Sequence, residues 1–451
     1  MGPFYPRPGR PTRAPRPHPS PRTLRAVARL LPIGTLLAWQ LAMAGPAQAK
    51  AGDLDPSFGI GGKVTTDFFG GLDEPSGLVA LADGSLVAAG FANEGPPRDF
   101  ALARYTPNGT LDPSFGTGGK VTTDFYGFTD HAQAGLVVQP DGKLVAAGAS
   151  FTFFTGGNYD FALARYQPNG TLDESFGSGG KVTTGISGGD DQAFALALQP
   201  DGKLVAAGEA SADFALARYN PDGTLDPSFN GSGLVTTDFA GAFDRVEALA
   251  VQADGKLVAA GQAFSGASLD FALARYNPDG SLDASFGSGG KVTTDLAGGD
   301  DAGFFAMAVL AGGKLMVLGS GLTGAGQNFT LARYNPNGTL DPSFGSGGMV
   351  TTDFAGGDDI GLSLVVQANG KLVAGGYDFT GAVRDFALAR YKPNGTLDHS
   401  FGRRGKVTTD FTDGGDDGAT ILAGQPGGKL VAAGFAGLPG GEDWALVRYR
   451  A

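Results

Sequence analysis

From Leu54 onward, short runs of apolar or alternating apolar and polar residues are separated by turn residues, and the whole pattern recurs along the chain. One period contains four such runs, read as strands: Phe194–Gln199, Lys203–Ala207, Phe214–Tyr219 and Val235–Phe239. The first is closed by Pro200-Asp201-Gly202 and the third by Asn220-Pro221-Asp222-Gly223. Proline presets φ near −65° and glycine accepts positive φ, so both are read as tight hairpin turns. Four strands joined in this way form an antiparallel meander.

The period can be followed from Leu54 through Leu111, Leu172, Leu225, Leu282, Leu340 and Leu397, and the seventh unit ends at Tyr449. A meander repeated every 40 to 50 residues or so is the signature of a propeller. The longer pitch here comes from an added LDPSFGxGG stretch and from a loop of variable length after the second strand. A β-solenoid would have shorter rungs with fewer hairpin turns. The expected fold is all-β: a seven-bladed β-propeller of four-stranded antiparallel blades. The first unit opens on an outer strand, Val64–Phe68, and the last ends on a third strand, Trp444–Tyr449. Pairing the two completes the last blade, so the N-terminal outer strand should close the ring by hydrogen bonds.

The phrases LDPSFGxGGKVTTDF, QPDGKLVAAG and DFALARYNPDGTLD recur from about residue 54 to 449 and resemble the delta-60 repeat family of bacterial exported and surface proteins. The resemblance implies export and propeller blades; it brings no activity and no catalytic residues. Local departures are Gly185 in place of the TTDF aspartate, Asn328 in place of the aspartate before the third strand, and Trp444 in place of phenylalanine.

Composition agrees with a turn-rich β protein, with 77 Gly and 27 Pro. Residues 1–49 read as an export signal: an Arg/Pro-rich stretch, an apolar run from Leu30 to Ala44, and the small-residue site Ala47-Gln48-Ala49. The apolar run is short for a spanning helix, which needs about 20 residues, so cleavage is expected rather than anchoring. That leaves residues 50–451 as one propeller domain with no membrane span, a monomer located outside the cell, in the periplasm or at the cell surface. Seven of the 33 basic residues lie before residue 50, where no acid occurs; removing that segment leaves 26 basic against 45 acidic residues, a net charge of −19. Phosphate binding depends on Lys and Arg, so nucleic acid and anionic membrane are excluded as partners in favour of a protein or glycan. With no cysteine, disulfides and thiolate chemistry are ruled out.

Catalytic constellations are sparse. His131 and His399 are isolated, the few glutamates fall at different repeat positions, and no carboxylate pair stands out. The resulting expectation is a non-catalytic binding scaffold. An extracytoplasmic carboxylate-dependent hydrolase or lyase and a cell-envelope structural or adhesive repeat are the alternatives. An enzyme site should break the seven-fold pattern at the channel mouth with unrepeated His, Glu, Tyr or Arg, whereas the sequence departs from it mainly in loop length.

Aspartate is the recurrent acid. Asp73, Asp130, Asp190, Asp244, Asp301, Asp358 and Asp416 precede the second strand at near-constant distance, on the face where the TTDF aspartates (such as Asp124) and those before the third strand (such as Asp213) should also lie. Few bases, among them Arg98, Arg245 and Arg384, accompany them. Asp beside Gly commonly ties down loop backbone; clustered carboxylates could instead hold a hard cation such as Ca²⁺. No cofactor is otherwise implied. The ARY arginines (Arg165 and its equivalents) recur once per blade, as a blade-internal salt bridge would. The Asn-Gly-Thr triplets at Asn108, Asn169, Asn337 and Asn394 are explained by turn chemistry. Aromatic bulk in the loop after the second strand is confined to unit two, at 151–159, and variable loops on a repeated scaffold are where binding specificity sits.

Overall fold

The computed structural model describes residues 49–451 except 94–96, 154–155, 267, 296–305, 324–325, 380, 382 and 439–440. The expected leader and Asp301 lie outside the described residues. The chain forms seven antiparallel sheets, one per blade. In blade three the strands run Asp191–Leu198, Leu204–Ala210, Asp213–Tyr219 and Leu234–Thr237, from the channel outward. Blade two departs in that its inner strand is split into Asp130–His131 and Leu136–Val138. Among the described residues there is no α-helix, and no helix is long and apolar enough to cross a membrane.

Each hairpin follows from its turn residues. Gln199 and Lys203 bracket the Pro-Asp-Gly turn, Gly202 adopts φ 86°, and its amide donates to the Gln199 carbonyl at 3.0 Å. The second strand is apolar on both faces because each face meets a different blade. Leu204 and Ala206 pack toward blade two, and Val205 and Ala207 toward blade four. A strand buried on both sides needs no polar alternation.

The ring closes as the phase of the repeats predicts. Lys63–Thr66 pairs with Gly441–Tyr449, Val64 opposite Leu446 and Thr66 opposite Trp444, and completes blade seven. Leu54 adds a bridge to Tyr449, the contact that Leu111 makes with Tyr105 inside blade one.

Two devices join neighbouring blades, the first in all seven and the second in six. The buried ARY tyrosine hydroxyl meets a threonine hydroxyl at the end of the preceding blade's outer strand, as in Tyr219 with Thr184 at 2.9 Å and Tyr276 with Thr237 at 2.9 Å. The ARY arginine makes the expected bridge within its blade, Arg165 Nε to Asp173 Oδ2 at 2.7 Å. Beyond that expectation it also donates to the Pro221 carbonyl of the next blade and lies 4.6 Å over the Phe176 ring. Burial alone would raise the Asp173 pKa, but Ser175, Lys143 and Arg165 hold it well below the usual carboxylate range.

Candidate binding site at the channel mouth

The aspartate ring lies on the expected face, but its membership needs correcting. The repeat position is filled by Asp73, Asp130, Asp191, Asp244, Asp359 and Asp417, all fully buried. In the Gly-Gly-Asp-Asp units, counting back from the second strand selected the wrong member of the pair: Asp190 and Asp358 are exposed and Asp416 is half-buried. The buried aspartate stands 12 residues before the Lys or Ser that opens the second strand in five of these blades and 13 in blade two, so where two aspartates are adjacent a spacing of 12 or 13 fits either one.

Both kinds of aspartate anchor backbone. The buried ones accept amides of the loop leaving the preceding outer strand: Asp73 from Phe68 at 2.8 Å, Asp130 from Phe125 at 2.8 Å, Asp191 from Ile186 at 2.6 Å, and Asp244 from Phe239 at 2.7 Å. The outer member accepts the amide at the start of the preceding blade's third strand: Asp190 from Tyr159, Asp358 from Gln327 and Asp416 from Arg384, each at 2.9 Å.

Among the described residues the expected gathering of three carboxylates per junction is present four times. Asp67, Asp73 and Asp443 form one group; the others are Asp99, Asp124 and Asp130, then Asp213, Asp238 and Asp244, then Asp385, Asp410 and Asp417, each with oxygens within 4.8 Å. Burial, reinforced by neighbouring Asp124 and Asp99, pushes Asp130 up to about 7. Burial likewise raises Asp244 to about 6 and Asp359 to about 7. Gly185 and Asn328 each remove one member of the set at their junctions.

At the centre lies a cavity of about 640 Å³. Its lining is shaped by a bulge in the inner strand, found among the described residues at the same place in five blades. The residues skipped by the ladder, Ser76, Phe194, Glu247, Leu362 and Thr420, all line the cavity. A bulge re-aims one side chain and leaves it unpaired. The glycine of LVAAG accommodates it, because a Cβ on Gly208 would stand 1.9 Å from the Gln192 carbonyl oxygen, and one on Gly261 1.9 Å from that of Arg245.

Polar and aromatic groups crowd the cavity's mouth. Arg384 lines it, pairs with Asp416 and lies 4.7 Å over Phe435. Arg98 lies 4.6 Å over Phe91, and Arg245 lies 4.7 Å over Phe194 and donates to Glu247. Burial raises Glu247 to about 7, tempered by Arg245. Burial and Glu442 push Glu74 up to about 6, against the pull of Arg384 and Arg98, and burial beside Arg98 lowers His131 to about 4. His131, Glu74, Glu247, Tyr377 and Arg384 all line this cavity. The seven-fold pattern is therefore broken at the channel as well as in the loops, a departure the sequence reading missed. The available signal was the changing residues one and three places beyond the ring aspartate.

Six stretches of the chain match the family described as a domain of unknown function (DUF5122) beta-propeller: residues 81–115, 139–176, 199–229, 252–286, 313–344 and 367–401. The chain is thus a β-propeller repeat protein. Comparison with curated proteins gave no match. Among solved structures, a polysaccharide lyase, an ulvan lyase bound to -[GlcA(1-4)Rha3S]-, is similar at 12% identity and TM-score 0.49, over 86% of this chain and 96% of that one. Trypanosoma rangeli sialidase in complex with the inhibitor DANA aligns at 14% identity and TM-score 0.42, over 85% of this chain and 55% of that one. Chaetomium thermophilum Sqt1 bound to the N-terminus of ribosomal protein L10 aligns at 14% identity and TM-score 0.46, over 86% and 99%. Similarity this distant carries nothing about chemistry.

Proposed function

We propose that this protein is an exported binding propeller of the delta-60 repeat kind, which engages a protein or glycan through its acidic, loop-bearing face with the channel mouth at the centre. One observation carries the reading. Positions that hold blades together repeat, whereas the side chains turned into the channel by the bulge differ from blade to blade. A scaffold kept constant beneath a varied concave lining is the arrangement of a binding site. Export rests on the leader, and cleavage after Ala49 would release the acidic propeller.

The test is retention of partners by residues 50–451, using a glycan array and pull-down from an extracytoplasmic fraction. Binding should fall at least about tenfold in Arg384→Ala, as for removal of a half-buried charged anchor. It should be unchanged in Lys392→Ala, an exposed residue in the turn after a third strand, on the opposite face. Equal binding by both variants would refute the reading.

The hydrolase or lyase alternative is favoured by Glu74 and Glu247, unrepeated carboxylates of raised pKa in one cavity. Glu247→Gln separates the two readings. A binding protein retains its ligand, whereas an enzyme retains it and ceases to convert it.

A further inference from the structure

The unrepeated aromatic bulk of unit two forms a second concavity on the same face. Pro97, Phe128, Thr129, Phe151, Phe153 and Tyr159 line a groove of about 440 Å³. Its rings pack edge to face: Phe128 with Phe153 at 4.7 Å between centroids, Phe151 with Phe153 at 5.3 Å, and Phe151 with Tyr159 at 5.3 Å. Phe153 is 62% exposed in a chain whose other large side chains are mostly buried. From Tyr159 the rings continue inward through His131 to Phe91 at the channel mouth. The groove is therefore an outward branch of the channel site. No other described blade presents a comparable cluster of aromatic rings packed around an exposed one.

Its chemistry selects among occupants. A sugar needs several hydrogen-bonding groups beside a stacking ring, and of the lining side chains only Thr129 and Tyr159 carry a hydroxyl. An apolar side chain needs none. Around the groove stand carboxylates: exposed Asp190 accepts the Tyr159 amide, and exposed Asp124 caps the Gly127 turn at its edge. Two cations stand nearby: Arg98 lies on Phe91 toward Glu74, and Lys181 donates to the Asp124 backbone carbonyl at 2.9 Å, leaving the Asp124 carboxylate exposed. The propeller as a whole is strongly acidic. Aromatic anchor pockets ringed by charge are where interface energy concentrates, and complementary charge speeds and orients encounter.

We infer that this groove takes a basic polypeptide segment, with one bulky apolar side chain seated among Phe128, Phe151 and Phe153 and flanking Lys or Arg facing Asp124 and Asp190. The inference rests on the reading of this face as a binding surface and specifies the class of partner.

The experiment is selection of a displayed random-peptide library on residues 50–451, followed by affinity measurement of the enriched peptides on wild type, Phe153→Ala and Arg384→Ala. Phe153 is exposed, so its truncation should leave folding intact, which the unfolding temperature checks. The expected result is enrichment of Lys or Arg around an aromatic or leucine, affinity lower by about tenfold or more in Phe153→Ala, and weakening with salt. Enriched peptides without basic residues, or equal binding by Phe153→Ala, would overturn it. So would glycan binding on the array that is lost in Phe153→Ala. No enriched peptide together with glycan binding lost only in Arg384→Ala would sink this inference while leaving the channel-face function standing. Loss of every form of binding would remove both.

Discussion

The hydroxyls of Tyr105 and Thr66 stand 2.8 Å apart in the protein interior. Thr66 belongs to the first described strand and Tyr105 to blade one. Because that strand lies in blade seven, the pair reproduces across the closing junction the bond that Tyr166 and Thr123 make inside the ring. Deleting Lys50–Phe69 should therefore expose the edge of blade seven and lower the unfolding temperature by roughly 10 °C or more. Thr66→Val, which removes only the hydroxyl, should cost about 1 kcal/mol. Calorimetry on both variants tests the closure, and an unchanged midpoint in the truncated protein would refute it.

Gly208 faces the inner-strand bulge so closely that any side chain would strike the Gln192 carbonyl. Gly208→Ala should cost about 3 kcal/mol through forced backbone shifts. Gly179, with open space around its Cβ position but φ 61°, should cost only about 1 kcal/mol on the same change. Chemical denaturation of the two variants would measure the difference, and equal losses would mean the bulge yields easily.

Arg165 makes its ion pair, a carbonyl contact to the next blade and a ring contact while almost fully buried. Arg165→Ala should destabilise by about 3 kcal/mol, much of it from leaving Asp173 without this partner. Arg165→Lys should recover less than half, since one ammonium cannot span Asp173, Ser175 and Pro221. Full recovery by lysine would reduce the role to charge alone.

Stability should peak in mildly acid solution. Asp130 and Asp359 titrate near 7 in the folded protein and Asp244 near 6, above about 4 in an unfolded chain. Between pH 4 and 7 the folded state holds more protons, so stability falls as pH rises through this window and then levels off. Asp55, Asp173 and Asp226 are shifted the opposite way, so their contribution is lost only as pH falls below about 4. Asp130→Asn should flatten the decline between pH 5 and 7, measured as unfolding temperature against pH. An unaltered slope would reject Asp130 as a source.

Calcium should have little effect. Each buried member of the four carboxylate groups already accepts a backbone amide, so an ion would compete with loop anchoring. Millimolar Ca²⁺ should shift the unfolding temperature by no more than about 1 °C, because a ligand far below its Kd stabilises little. A measurable heat of binding, lost in Asp124→Asn, would instead establish a hard-cation site.

The repeat, the strands, the hairpins and the pairing of Lys63–Thr66 with the last strand were legible in the residue order, because each depends on local residue chemistry and on order along the chain. Pro-Asp-Gly turns at any depth in a fold, and a repeat series whose first unit opens on an outer strand and whose last closes on a third completes that blade by joining them. Residue order also pointed to the acidic face, since strand direction places every loop of one kind on the same side. Which side chains meet depends on packing between blades. Asp191 rather than Asp190 is buried because it opens the inner strand and turns inward onto the Ile186 amide, whereas Asp190, one residue earlier, turns to the Tyr159 amide at the surface. Glu247 enters the channel because a bulge breaks the two-residue alternation that a strand pattern assumes. Arg98, Arg245 and Arg384, dispersed over nearly three hundred residues, come to stack on aromatic rings at one mouth only when the ring is closed.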